Sequence, residues 1–287
     1  MDGPAASTGA PRDGAREASR ARREFLVGTA LLAAGFAFAA VGSAIVQRGG
    51  GAPTSQLLAG LAAQALFACT ALGGALLAGP ALLPHGLRMR RPRLAPRDLA
   101  LLALGFVCTS HALSVLLSLV SLRETGTLAE LDRIVAATTA GPPRLLAFLA
   151  IGLAPAFGEE LLFRGLVQEL ARRRLRAAGA ILVSSLAFAA VHLDPVHSPA
   201  AFVLGLYLGT AAWLGASVWT AALCHGANNV LGVVLPQLAI DIPPDTAPAW
   251  VAGLGAAGVL LLGSVARRAR APGRGAGHCP GGPAASL

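Results

Sequence analysis

Apolar residues fall into long blocks separated by short polar segments along most of the chain. The blocks run for about 15 to 24 residues, the length that crosses a hydrocarbon core of about 30 Å as an α-helix. Proline stands near several block ends, because it begins or follows a helix more easily than it continues one. The predicted helices cover residues 25–46, 56–79, 99–122, 145–170, 178–193, 199–214, 218–235 and 249–265. The pattern predicts an all-α, polytopic membrane protein with about eight transmembrane helices, and the short fifth and sixth blocks leave seven or nine open.

Arginine is distributed unevenly among the segments that connect these blocks. Five arginines precede the first block, five lie within residues 88–97, four within 172–176 and four within 267–274. In an eight-helix count all four segments lie on one side, which the positive-inside rule assigns to the cytoplasm. We therefore predict a cell-membrane protein with both termini cytoplasmic. Residues 25–268 would form the transmembrane domain, and residues 1–24 and 269–287, poor in large apolar residues, would be disordered basic tails.

Composition and charge refine this picture at three points. The chain is 55% hydrophobic and 13% charged with a formal net charge of +9, but its basic residues lie between apolar blocks, which argues against nucleic acid as a partner. All 23 basic residues are arginine, a usage typical of a GC-rich and hence bacterial source. The stretch RREFLVG at residues 22–28 resembles a twin-arginine export signal, but the apolar run after it is long enough to favour an uncleaved helix.

The fourth block contains a charged cluster, GEELLFRG at residues 158–165. Each charge at mid-membrane costs about 2.5 to 3.5 kcal/mol, so such clusters are functional by default. Glu160 and Arg164 stand four residues apart and can pair on one helix face, whereas Glu159 is rotated by about 100° and has no partner within its own turn. The spacing makes Glu159 the chemical candidate and Glu160 with Arg164 the structural one. The alternative is that all three form a buried network that only fixes helix packing.

Two later blocks carry further polar residues at helical spacing. FAAVH places Phe188 and His192 on one face of the fifth block, and HGANN places His225 and Asn229 on one face of the seventh. If the fourth and fifth blocks fold as a hairpin near residue 175, Glu159 and His192 both lie about 25 Å from the turn. The spacing therefore predicts that these two residues lie at the same depth.

These three motifs, in this order on successive apolar blocks, resemble those of the CPBP family. This family comprises CAAX-protease and bacteriocin-processing proteins, also called Abi proteins, and is related to type II CAAX prenyl endopeptidases. The resemblance implies an all-helical intramembrane endopeptidase with its protease core at about residues 143–236. It also implies roles for the motif residues: Glu159 as the general base on a water molecule, with His192 helping to activate it, His225 and Asn229 as oxyanion donors, and Glu160 with Arg164 positioning the first carboxylate.

The resemblance leaves the use of a metal open. Family members are often described as metalloproteases, and Glu159, His192 and His225 can supply three zinc ligands with an open fourth position. The chain lacks the His-Glu-x-x-His pattern that places two zinc-binding histidines on one helix face. Direct catalysis by glutamate without a cofactor is therefore the preferred interpretation, with zinc as its alternative.

The expected partners are the lipid bilayer and a membrane protein or lipidated peptide as substrate. Two other classes of function also explain the motifs: a non-proteolytic membrane scaffold or immunity protein of the same family, or a transporter with buried polar residues. The chain has no repeated halves and no second acidic cluster, which argues against a transporter. The complete set of motifs favours the enzyme over the scaffold.

Overall fold

The computed structural model describes residues 52–78, 87–238 and 242–270, together with Ser19, Leu26 and Ala30 as isolated positions. All regular structure in these residues is helical. The predicted first helix, 25–46, and the predicted tails, 1–24 and 269–287, lie outside the described residues, apart from those isolated positions and the last two residues of the final helix.

Eight α-helices lie within the described residues. They are α1 (Pro53–Ala78), α2 (Pro96–Leu119), α3 (Gly126–Ala137), α4 (Gly141–Arg172), α5 (Ala177–Ala190), α6 (His197–Gly215), α7 (Val218–Val234) and α8 (Ala247–Arg270), with a 3-10 turn at Leu235–Leu238. Seven of the predicted segments correspond to α1, α2 and α4 to α8, because apolar block length is a strong signal for a membrane helix.

Five of these helices, α1, α2, α4, α6 and α8, are long and apolar enough to cross a membrane. Helices α5 (14 residues) and α7 (17 residues) are shorter than these five helices. Both lie at or below the lower end of the usual spanning length. The structure thus confirms an all-helical, polytopic membrane protein. The predicted count of eight transmembrane helices is not confirmed.

Helix α3 occupies a stretch that the apolar pattern left as a connection. Glu130 accepts hydrogen bonds from Arg133 and from Gln56 of α1. Ile134 and Val135 are buried against α1, α4 and α7. The helix is short and amphipathic, so a search for spanning blocks does not detect it.

The arginine-rich segments come together at one end of the helical bundle, which we call the arginine-rich end (residues 88–97, 172–176 and 267–270). Arg268 at the end of α8 pairs with Asp98 at the start of α2, with 2.9 Å between Nε and Oδ1. Arg88 pairs with Glu169 near the end of α4, with 3.2 Å between Nε and Oε2. These contacts agree with the prediction that these segments share one side; which side of the membrane they face stays a prediction.

Helix α4 lies among α1, α5 and α7 and holds the charged cluster. Gly158 allows α1 to approach closely, since a Cβ atom there would lie 2.5 Å from the backbone oxygen of Gln64. Helix α6 packs tightly on α5 through Gly205 and Gly209. These two glycines stand four residues apart, a spacing that allows membrane helices to approach closely. These close approaches position the polar side chains of four helices around Glu159 and Glu160.

Candidate active site

The backbone of α4 is irregular on both sides of the two glutamates. π-Helical segments at Phe148–Leu153 and Leu161–Val167 flank the α-helical stretch Ala154–Glu160. Pro155 has no N–H group and stands four residues after Ile151, so the Ile151 carbonyl lacks its ordinary α-helical donor. Such π-helical segments are frequent at functional sites. The irregularity frees a backbone acceptor close to the charged cluster.

Glu160 is the centre of a buried ion-pair network. Its Oε1 accepts hydrogen bonds from Nη1 of Arg164 at 3.1 Å and from Nδ1 of His225 at 2.8 Å, and both side chains of the Glu160–Arg164 pair are 0% exposed. Arg164 also donates from Nη2 to the carbonyl of Gly205 at 3.2 Å. The pairing of Glu160 with Arg164 matches the four-residue spacing, and His225 joins it from α7.

Glu159 has a different environment from its neighbour. Its Oε1 accepts a hydrogen bond from Nε2 of Gln64 on α1 at 2.8 Å. Its Oε2 lies 4.0 Å from Nε2 of His225, too far for a direct hydrogen bond. Glu159 is 9% exposed, whereas Glu160 is 0% exposed. One oxygen of Glu159 is therefore held by an amide, and the other faces the imidazole of His225.

The orientation of His225 follows from its contact with Glu160. A carboxylate only accepts hydrogen bonds, so the Nδ1 of His225 carries the proton in this contact. In the neutral ring Nε2 then holds the lone pair, and it faces Glu159. Glu160 thus selects the tautomer of His225, in the way that a second carboxylate orients a functional histidine.

Phe188 of the second motif contacts the other two motifs. Its ring lies 4.4 Å from the Arg164 guanidinium carbon, 5.0 Å from the His192 ring and 6.2 Å from the His225 ring. His192 donates from Nδ1 to the Phe188 carbonyl at 2.8 Å. The direction of this bond follows because a carbonyl oxygen can only accept, and it leaves Nε2 of His192 as an acceptor. The structure therefore brings His192, His225 and Arg164 around one aromatic ring.

Asn229 completes the set predicted from the sequence. It donates from Nδ2 to the freed carbonyl of Ile151 at 3.1 Å, and its Oδ1 accepts from Asn228 at 3.3 Å. The amide nitrogen of asparagine has two protons, so one N–H remains for another acceptor. The irregular backbone of α4 thus orients a side chain of α7.

The zinc alternative stays a prediction. In the part of the chain that the structure describes, no three His, Cys, Asp or Glu side chains are grouped so as to hold a metal ion. His225 and His192 both use Nδ1 within the protein, which leaves Nε2 of each ring as the nitrogen for another partner. Nε2 of His225 lies 4.0 Å from Oε2 of Glu159. No step below depends on a metal.

Three residues near the site were not predicted. Gln64 binds Glu159; the ring of His197 lies 4.3 Å from that of His192; and Asp194 accepts from the backbone N–H groups of Thr127, Val196 and His197. Burial raises the pKa of Asp194, but these N–H donors outweigh it and lower the pKa to about 2. A glutamine in an apolar block was a visible signal for Gln64, although nothing in the sequence pairs it with Glu159.

The site and fold together define a helical membrane protein with a cluster of Glu, His and Asn side chains on α4, α5 and α7, of which Glu159, Glu160 and His225 are buried. Residues 141–231 match the family model of type II CAAX prenyl endopeptidase Rce1-like proteins. Searches of curated proteins and of solved structures gave no match. The matched segment begins with α4 and ends just after Asn229, so it contains all three motifs. Residues 141–231 are therefore similar to the Rce1-like domain of the CAAX protease (CPBP) family, which is a family of membrane peptidases.

Proposed function

We propose that the protein is an intramembrane endopeptidase that hydrolyses a peptide bond of a membrane protein or lipidated peptide. The observation that carries the proposal is the pairing of Glu159 with His225 across 4.0 Å, each held by a separate partner. Gln64 holds the carboxylate and Glu160 holds the imidazole. A single water molecule can bridge two polar atoms at this separation by hydrogen bonding to both.

Glu159 acts as the general base in this proposal. Its free Oε2 takes a proton from the bridging water while the water oxygen attacks the carbonyl carbon of the scissile peptide bond. A tetrahedral intermediate with a negatively charged oxygen results. When the C–N bond breaks, the proton held by Glu159 passes to the leaving amine, so that a carboxylic acid and an amine are the products and Glu159 is again a carboxylate. His192, with Nε2 available as an acceptor, helps to hold the water.

Asn229 and His225 stabilise the negative oxygen. Asn229 contributes the N–H that Ile151 does not use. His225 donates from Nε2 in its imidazolium form, in which its Nδ1–H group keeps the 2.8 Å hydrogen bond to Glu160. Arg164 in turn balances the charge of Glu160. The family roles of these residues are thus compatible with the donors and acceptors that each one has.

Comparative membrane proteomics tests the proposal. Cells expressing the wild-type protein should contain a cleaved membrane-protein fragment that disappears in Glu159→Gln. A matched control is Glu124→Gln, which changes an exposed glutamate outside the site in the same way. Removing a general base lowers a rate by about 10² or more. A fragment that persists in Glu159→Gln at about a tenth of its wild-type level or more would contradict the role of Glu159.

A further inference from the structure

Gln64 contacts the predicted general base from outside the matched segment. It lies on α1, 95 residues before Glu159, and donates from Nε2 to Oε1 of that glutamate at 2.8 Å. The close approach of the two helices depends on Gly158, the residue before Glu159. The contact therefore joins α1, which no motif includes, to the central residue of the site.

The amide of Gln64 has one favourable orientation. Its nitrogen faces Glu159, and its Oε1 lies against Gly158, where a Cβ atom would approach within 2.8 Å. That oxygen is buried and has no hydrogen-bond partner among the described residues. Reversing the amide would set its oxygen against a carboxylate oxygen, and two acceptors repel each other. The amide thus favours an unprotonated Oε1 on Glu159.

This arrangement is costly unless it serves the site. Leaving a buried polar atom without a partner costs about 1 to 3 kcal/mol, and an apolar side chain at this position avoids that cost. A hydrogen bond between membrane helices contributes only about 0.6 kcal/mol on average. An apolar residue would, however, leave Oε1 of Glu159 without its donor, so stability alone does not account for Gln64. Local features that lower stability without a structural gain are expected at functional sites.

We propose that Gln64 is a positioning residue that holds Oε1 of Glu159 and so directs Oε2 toward His225 and the attacking water. The proposal rests on the peptidase function proposed above. By occupying one oxygen, Gln64 leaves a single oxygen free to take the proton. Without that bond the carboxylate can rotate about its side-chain torsions, and the base loses the geometry that proton transfer needs.

The test replaces Gln64 by methionine, which has nearly the same length and no N–H group. Gln56→Met is the matched control, because Gln56 lies on the same helix, is buried, and bonds to Glu130 away from the site. We expect Gln64→Met to accumulate normally and to form the Glu159-dependent fragment at least about tenfold more slowly, since misplaced catalytic groups cost factors of this size or more. Gln56→Met should form the fragment at the wild-type rate.

Infrared spectroscopy of the purified protein reports directly on the hydrogen bond between Gln64 and Glu159, which a general loss of stability would not change. The carboxyl or carboxylate stretching band of Glu159 is assigned by its loss in Glu159→Gln. That band should move in Gln64→Met, which removes the hydrogen-bond donor, and should stay in place in Gln56→Met. If Gln64→Met lowers abundance, Gln64→Asn keeps a buried amide one methylene shorter, and the same loss of rate is expected.

The outcomes separate the two proposals. A fragment formed at the wild-type rate by Gln64→Met, or a band that does not move, would overturn the positioning role and leave the peptidase proposal intact. If wild-type cells contain no Glu159-dependent fragment, the peptidase proposal fails and the catalytic role of Gln64 fails with it. A slowed fragment together with a shifted band supports both.

Discussion

Two regions of the protein that contain ion pairs, the arginine-rich end and the centre of α4, differ in how much water reaches them. At the arginine-rich end, the Arg268 side chain is 33% exposed and its partner Asp98 is 6% exposed, so the pair is partly exposed. At the centre of α4, both side chains of the Glu160–Arg164 pair are 0% exposed. Exposed pairs contribute about 0 to 1 kcal/mol, whereas breaking a buried pair costs about 3 to 5 kcal/mol. The same chemistry therefore carries different consequences in the two regions.

The comparison shows which charges call for a functional explanation. The pairs of the arginine-rich end join residues near the ends of helices, and their charges agree with the topology signal of a membrane protein. The pair in α4 is desolvated and occupies a position where apolar residues would pack at lower cost. Glu160 of this pair also bonds to His225, and so it orients a histidine of the candidate site.

The largest effect on stability is expected for Arg164→Ala. The substitution removes the cation beside Glu160 and also the donor to the Gly205 carbonyl. We expect a loss of about 3 to 5 kcal/mol of unfolding free energy, visible as low membrane abundance and a lower Tm in detergent. Because Glu160 keeps its contact with His225, we expect the loss of unfolding free energy to lie near the lower end of this range. Normal abundance and Tm would show that water reaches Arg164.

Gly158→Ala should have the next largest effect. The new Cβ atom would meet the backbone oxygen of Gln64 at 2.5 Å, and a backbone atom cannot move aside as a flexible side chain can. Overpacking of this kind costs about 1 to 3 kcal/mol, and it should also slow cleavage by separating Gln64 from Glu159. The measurements are Tm and the rate of fragment formation.

Gly60→Ala is the matched control for this substitution, because a Cβ atom at Gly60 on α1 has no neighbour within 4 Å. Alanine favours a helix over glycine by about 1 kcal/mol, so this variant should be as stable as the wild type or more stable. Equal Tm values for Gly158→Ala and Gly60→Ala would contradict the close approach of α1 and α4.

Asp194→Ala removes a carboxylate that accepts from backbone N–H groups at the start of α3 and at the start of α6. A helix cap contributes about 1 kcal/mol, so losing both caps should lower the unfolding free energy by about 2 kcal/mol. Since the folded pKa is about 2, below the ordinary 3.8, this stability is fully present above pH 3.8 and is lost only as the pH falls through about 2. The Tm difference from the wild type should therefore be constant across neutral pH.

The smallest effect is expected for Arg268→Ala at the arginine-rich end. The pair with Asp98 is partly exposed, so its loss should change the unfolding free energy by about 1 kcal/mol or less, and less at high salt. Fragment formation should be unchanged. A loss of stability as large as that of Arg164→Ala would remove the contrast between the two regions.

Local features of the site were predictable from the sequence. Glu160 pairs with Arg164 because residues four apart share a helix face whatever surrounds the helix. The apolar blocks likewise located α1, α2 and α4 to α8, since membrane helices are defined by length and hydropathy. Apolar block length did not predict the short amphipathic helix α3 or the number of helices that cross the membrane.

Contacts between helices required the folded structure. Gln64 reaches Glu159 from 95 residues away, and His225 bonds to Glu160 through Nδ1 from 65 residues away. Both contacts depend on the rotation and the offset of packed helices, which an apolar pattern restricts only weakly because nearly every face of a membrane helix is apolar. The residue types and their spacing along each helix are therefore readable from the chain. Which atom of His225 meets which glutamate, and the presence of Gln64 at the site, follow from packing at positions such as Gly158.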